Sequence, residues 1–114
     1  MPIQTVTQRN TLAQAYGNAA THAALYSTVP AGTAGTELTG GSPAYARKAL
    51  TWSAPSASAI TVTVTFDVAS GSTVAGAGVH TAITAGTYLD GGAVTSQNFA
   101  SQGTYQLTLT YTQS

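Results

Sequence analysis

This sequence contains very few charged residues. Lys, Arg, Asp and Glu together make up 5% of its 114 residues, with a formal net charge of zero, whereas about a quarter of a typical chain is charged. Three basic residues are too few to neutralise a nucleic-acid backbone, and no basic cluster could bind an anionic membrane surface. We therefore expect neither nucleic acid nor membrane as a partner. A neutral surface also does little to keep copies of a protein apart, which favours assembly.

Cysteine is absent altogether. This excludes disulfides, a thiolate nucleophile and Cys-ligated metal. The two His residues and three acids show none of the close spacings typical of metal sites. The start, MPIQTVTQRN, has no basic stretch followed by an apolar one, so it does not look like a signal peptide. We expect no metal and no cofactor, and the lack of cysteine leaves the compartment undetermined.

Thr and Ala dominate what is present, with 21 residues each beside 12 Gly and nine aromatics. Disordered chains combine high net charge with few aromatics, and this chain has neither property. Its length corresponds to one folded domain.

The first 21 residues are predicted to form an arm and a short helix. Residues 1–6 look extended, Thr7 is the predicted N-cap, and a helix is expected from about 8 to 21. Gly17 lies in the middle of this helix and should weaken it. The helical face is mostly Ala and suits close packing on a sheet or on a neighbouring subunit. The candidate interface residues on this helix are Leu12, Ala15, Tyr16 and Ala19.

Residues 22–114 carry a β pattern. Apolar residues alternate strictly with Thr or Asp over 59–68, and alternation over 103–112 places Tyr105 and Leu107 on one face. Gly91-Gly92 is interpreted as a turn. The weaker candidate strands are 22–29, 44–52, 73–83, 86–92 and 94–99.

Six or seven short strands at this spacing predict one mainly β domain over 22–114. Its expected architecture is an antiparallel β-sandwich or jelly roll, preceded by the arm and helix of residues 1–21. The predicted core comprises Leu25, Leu50, Trp52, Ile60, Val62, Val64, Phe66, Val79, Leu89, Phe99, Leu107 and Leu109.

Catalytic chemistry is formally possible but poorly supported. His22 and His80 are far apart, no Gly-x-Ser-x-Gly elbow occurs, and strand histidines are more often structural. The acids Glu37, Asp67 and Asp90 lie near different turns or strand ends, where they commonly form turns. We expect no enzyme and no catalytic residue. Sugar binding by exposed aromatic side chains is left open, beside their use as core or interface residues.

Half of the charged residues fall within the stretch GTELTGGSPAYARKA at 35–49. Glu37 and Arg47 flank its Gly-Gly-Ser-Pro turn, so they can pair as an exposed salt bridge or as a partly buried clasp that also holds loop carbonyls. We favour the clasp and keep a contact to a neighbouring subunit as the alternative. Lys48 has the opposite strand parity from Arg47 and is expected on another face, where it is a further candidate for an interface.

The order helix, AALYST strand, Pro/Gly loop and E-L-T-G-G-S-x-x-Y-A-R-K-A resembles a family of small virion proteins of tailed phages, particularly those of actinobacterial hosts. The segment 66–89 is similar as well, and the resemblance covers roughly residues 10–112. Members are often labelled tail fibre or minor tail proteins, and some relatives are head-decoration or minor capsid proteins. The family implies no catalytic residues.

The resemblance implies a structural protein on the surface of the phage particle, made in the cytoplasm of the host. The chain has no repeat or heptad period that would form a fibrous shaft, so we favour a capsid decoration or minor capsid protein. It would bind the major capsid protein as a symmetric oligomer, with a trimer favoured. The alternative is a tail fibre or minor tail protein that attaches to host carbohydrate.

Overall fold

The computed structural model describes residues 3–114. It confirms the predicted class, since the chain is mainly β, with two antiparallel sheets and one short helix near the N-terminus. The elements are α1 (Val6–Ala19), β1 (His22–Tyr26), β2 (Lys48–Ala49), β3 (Ala59–Val68), β4 (Thr73–His80), β5 (Tyr88–Asn98) and β6 (Gly103–Thr112).

The two sheets differ in size. The larger has the strand order β2-β1-β4-β5, and the smaller pairs β3 with β6. β3 and β6 pair from Ala59–Thr112 to Val68–Gly103 without a register shift. Both strands have the bounds that the alternation predicted. Strict alternation marks one face of each strand as buried, and this fixes the register in which the two strands pair.

The main core lies between the sheets. Leu25 of β1, Phe66 and Val68 of β3, Val74 of β4 and Leu107 of β6 are all buried there. We call the side of the larger sheet that carries Ala23, Leu25, Ala77 and Val79 its inner face.

Most of the predicted core residues are buried, but the prediction is wrong for one of them. Leu89 is 40% exposed. Leu50, Trp52, Val64 and Leu109 are only half-buried. Tyr26 is not among those twelve residues, but it is fully buried.

Three predicted strands end early or are reduced. β1 ends at Tyr26 because Ser27 starts the loop that returns at Thr36, whose carbonyl accepts the Ser27 N–H. β4 ends at His80, since the Thr81 N–H donates to Thr87 across a turn. Of the predicted strand 44–52, only Lys48–Ala49 forms a strand.

Gly91-Gly92 is not a turn, and this prediction is wrong. Both glycines lie in the middle of β5, so the two short candidates at 86–92 and 94–99 form one strand. A Cβ at Gly91 would lie 2.6 Å from the Ala77 carbonyl oxygen and 2.7 Å from the Tyr88 hydroxyl. Any side chain at position 91 would clash with these two atoms, so their close approach requires glycine here.

The helix begins two residues earlier than predicted. Thr5, rather than Thr7, is the N-cap; its backbone is extended and its hydroxyl accepts the Gln8 N–H at 3.3 Å. Gly17 is buried against the sandwich, where an added Cβ would lie 3.0 Å from Ile60 Cδ1 and 3.3 Å from Trp52 Cδ1. Close packing explains this glycine, whose helix propensity is low.

Candidate functional site

A cluster of charged and polar side chains is built on the edge of β1 that faces away from β4. Two separate segments cover this edge: 36–38, where the Leu38 N–H donates to the Leu25 carbonyl, and β2, which pairs with His22 and Ala23. The chain between them, 39–47, leaves the sheet around the turn at Gly40 and Gly41, both of which have positive φ. Such backbone angles favour glycine.

The interruption leaves the Leu25 N–H without a strand carbonyl, and a side chain replaces it. The Tyr45 hydroxyl accepts the Leu25 N–H at 3.0 Å and donates to Glu37 Oε2 at 2.8 Å. The Tyr45 ring stacks on Phe66, with centroids 6.1 Å apart. Tyr45 thus joins the main core to the charged residues at the surface.

Glu37 and Arg47 form a two-pronged ion pair. Arg47 Nε donates to Glu37 Oε2 and Nη2 donates to Oε1, both at 2.9 Å. Nη1 donates to the carbonyls of Ala82 and Ala85 at 3.1 and 2.8 Å. Only 11% of the Arg47 side chain and 28% of that of Glu37 is exposed. The guanidinium therefore ties segment 36–38 to the loop after β4; we call these contacts the clasp.

The surroundings of Glu37 act on its ionisation in opposite directions. Burial alone would raise the pKa of this carboxyl, but hydrogen bonds from Arg47 and Tyr45, together with the Arg47 charge, outweigh burial and lower it. The carboxylate accepts three side-chain hydrogen bonds. This coordination suits an ionised structural residue better than a general acid.

A second cluster lies under the clasp, on the outer face of the larger sheet. Tyr26, His80 and Tyr88 contact one another edge to face, with centroids 5.6 to 6.4 Å apart. Gly78 makes room for these rings, because a Cβ there would lie 2.8 Å from the Tyr26 hydroxyl. Tyr26 is fully buried and His80 is 4% exposed.

His80 is held in its neutral form. Burial, followed by the charge of Arg47, lowers the pKa of its imidazole, and burial raises the pKa of Tyr26 to about 12. Tyr26 therefore stays protonated, and its hydroxyl shares a hydrogen bond with His80 Nε2 in which the tautomer of the imidazole sets the donor. Nδ1 is buried without a partner. Because neither side chain is accessible, this pair cannot reach a substrate.

The helix packs on the open end of the sandwich through Tyr16. Its ring stacks on Tyr111, with centroids 3.8 Å apart, and meets Trp52 edge to face. The Tyr16 hydroxyl donates to Asp90 Oδ2 at 3.1 Å, and Trp52 Nε1 donates to the Ala20 carbonyl at 2.9 Å. These contacts join the segment 1–21, which contains the helix, to the predicted β domain of residues 22–114.

A groove of about 280 Å³ opens beside Tyr16, between β5 and β6. Its floor is apolar, its rim carries Asp90, Tyr16 and Tyr111, and the inner-face position Gly92 leaves space, since no atom lies within 4 Å of a Cβ built there. The two strands are held together at the other end, where the Tyr105 hydroxyl donates to the Thr95 carbonyl at 2.9 Å.

The other predicted interface residues are spread over the surface. Ala15 and Ala19 are exposed on the helix, Leu12 is half-buried, and Lys48 is half-buried in β2 opposite Ala23. Asp67 lies on β3 and Asp90 on β5, and Glu37 lies outside the strands, between β1 and β2. Within residues 3–114, no three His, Asp or Glu side chains come together as a metal site would require. The described helix is also too short and too polar to cross a membrane.

The fold and this site define a small two-sheet β-sandwich in which most of the charged residues make internal contacts. No protein-family model, curated protein or solved structure matches the chain. The resemblance to phage virion proteins therefore stays a hypothesis.

Proposed function

We propose that the chain is a non-enzymatic structural protein of a phage particle, namely a capsid decoration or minor capsid protein that binds and stabilises the head as a symmetric oligomer. On this proposal it contacts the major capsid protein and lies on the outside of the virion. The proposal rests on the resemblance in the sequence and on the way the structure uses its few charges.

The observation that carries the proposal is the internal use of most of the charged side chains, four of the six when the contacts of Asp90 are included. Glu37 and Arg47 satisfy each other and two loop carbonyls. Arg9 donates to the Ser58 hydroxyl at 2.7 Å and to the Ile3 carbonyl. The remaining surface is mostly Thr, Ser, Gln, Ala and Gly. Such a surface has little charge to desolvate or repel when it is covered in an assembly.

The test is a reconstitution. Purified protein is added to heads of the parent phage that lack it, and the heads are then heated or exposed to low salt. A decoration protein binds to saturation at a fixed ratio to the major capsid protein and raises the temperature at which the heads release DNA. Binding only to tails, or no binding, would contradict the proposal.

A second candidate function has one observation in its favour. The groove beside Tyr16 combines aromatic rings with the carboxylate of Asp90, a combination that suits a sugar. A tail protein that attaches to host carbohydrate is therefore the alternative. The rings of Tyr16, Trp52 and Tyr111 are engaged with one another, which favours their structural use. Calorimetric titration with host cell-wall polysaccharide distinguishes the two, since the decoration protein should give no heat of binding.

A further inference from the structure

Four residues form a straight row across the larger sheet. Lys48 of β2 is paired with Ala23 of β1, Ala23 with Val79 of β4, and Val79 with Asp90 of β5. Directly paired residues of antiparallel strands point to the same side of a sheet. Ala23 and Val79 are buried in the inner face, so the row begins with a basic side chain at one edge and ends with an acidic one at the other.

These two charges are the unpaired ends of the row. Among the described residues 3–114, the ion pair of the clasp is the only salt bridge. Lys48 makes no side-chain hydrogen bond to that part of the chain. Asp90 accepts the Tyr16 hydroxyl and the Gly91 N–H, one on each oxygen. A carboxylate can accept about four hydrogen bonds, which leaves room for an ammonium.

The strand directions at the two edges are also complementary. β1 runs antiparallel to β2 and to β4, and β4 runs antiparallel to β5. A second copy placed beside the sheet in the same orientation therefore brings its β2 alongside β5 as an antiparallel neighbour. With strands about 4.8 Å apart, four strands correspond to a shift of about 19 Å between copies.

The smaller sheet does not extend this contact, because it has only two strands. After the same shift, β3 of the second copy would lie about three strand spacings, or about 14 Å, from β6. The pairing between copies is therefore confined to the edges of β2 and β5.

We propose that copies of this chain associate head to tail through these edges, with Lys48 of one copy paired with Asp90 of the next. The inference deepens the proposed function, because it rests on assembly of the chain as a homo-oligomer. Each copy uses two different edges, so the contact is heterologous and gives a ring when the rotation between copies closes. Opposite charges that face each other across strands stabilise the pairing and set its register.

The experiment is a charge exchange on the purified full chain. Sedimentation velocity gives the dissociation constant of wild type, Lys48→Asp, Asp90→Lys and the double variant that carries both changes. Each single variant puts like charges at the contact and should weaken association roughly tenfold or more. The double variant restores an opposite-charge pair and should return the dissociation constant to within about threefold of wild type. Asp67→Lys, on the other sheet, is the matched control and should have no effect.

Asp90→Asn keeps a hydrogen-bond acceptor for Tyr16 while it removes the charge, so it covers the case in which Asp90→Lys disturbs the fold. It should weaken association and abolish its dependence on salt. A wild type that stays monomeric at millimolar concentration overturns the inference. Single variants that associate like wild type also overturn it, as does a double variant no stronger than the singles.

This experiment separates the inference from the proposed function. If the chain is absent from the particle but associates through Lys48 and Asp90, the proposed function is wrong and the inference about association still holds. If the chain decorates the head but its association does not depend on these two charges, the proposed function holds and the inference is wrong.

Discussion

The Tyr45 hydroxyl donates a 2.8 Å hydrogen bond to Glu37 while it accepts the N–H of Leu25. One phenol thus completes the edge of β1 and orients the carboxylate that binds Arg47. The concentration of charge around the Gly-Gly-Ser-Pro turn has a structural explanation: the turn interrupts the edge strand, and the side chains on either side of it replace the missing backbone contacts.

Replacing Arg47 with Ala is expected to lower the free energy of unfolding by about 3 kcal/mol. The change leaves the partly buried Glu37 carboxylate without its cation and two loop carbonyls without a donor. Lys48→Ala is the control and should stay within about 0.5 kcal/mol, since the Lys48 side chain makes no hydrogen bond or salt bridge within residues 3–114. Urea unfolding of dilute protein measures both values. Equal and small effects would show that the clasp does not stabilise the fold.

Tyr45→Phe should cost about 1–3 kcal/mol, although it removes a single oxygen atom. The Leu25 N–H would lose its acceptor, and the unmet group would lie next to the core. Tyr88→Phe is a suitable control, because its ring packs in the outer cluster without a hydrogen bond from its hydroxyl among the described contacts. Hydrogen exchange at the Leu25 amide should be faster in Tyr45→Phe alone. Unchanged exchange would contradict the role assigned to Tyr45.

Stability should fall as the pH drops below the ordinary His pKa of 6.5. The folded state lowers the pKa of His80, so the unfolded chain takes up the proton first; the stabilisation is complete above the unfolded pKa and is lost as the pH falls towards the folded one. Glu37 should add to this loss of stability at lower pH. Its folded pKa is also lowered from the ordinary value of 4.5, so the unfolded chain again takes up the proton first.

The measurement is the melting temperature between pH 8 and pH 5 for wild type and His80→Gln. The variant cannot titrate at position 80, so its melting temperature should vary less over this range, even if it is lower throughout. Parallel curves would mean that His80 does not couple folding to pH.

Gly17→Leu should destabilise the protein by roughly 1–3 kcal/mol, despite the better helix propensity of Leu, because the side chain has no room against Ile60 and Trp52. Asn18→Leu, one position along on the exposed side of the helix, should be close to neutral. Thermal unfolding compares them. If the helix were only an assembly arm, both variants would fold equally well.

The sequence allows the regular parts of this fold to be predicted and hides the parts that depend on long-range pairing. The bounds of β3 and β6 follow from alternation that is visible within ten residues. The role of Tyr45 depends on how β1 is paired with segment 36–38, and the row from Lys48 to Asp90 depends on the order of four strands. Gly91-Gly92 was interpreted as a turn because local patterns do not reveal that Ala77 and Tyr88 crowd Gly91.

The candidate site shows the same division. The ten-residue spacing of Glu37 and Arg47 was enough to suggest that they could meet across the turn. The partners Ala82 and Ala85 lie 35 and 38 residues beyond Arg47, and no local signal points to them. His80 and Tyr26 were missed as a buried pair because they become neighbours only through the β1–β4 register.

The central claim is that this chain is a structural component of the phage head. The most direct test is its copy number and location on intact particles, by quantitative mass spectrometry of purified virions and antibody labelling in electron micrographs. The account predicts hundreds of copies distributed over the head. A few copies confined to the tail, or none on the particle, would contradict it.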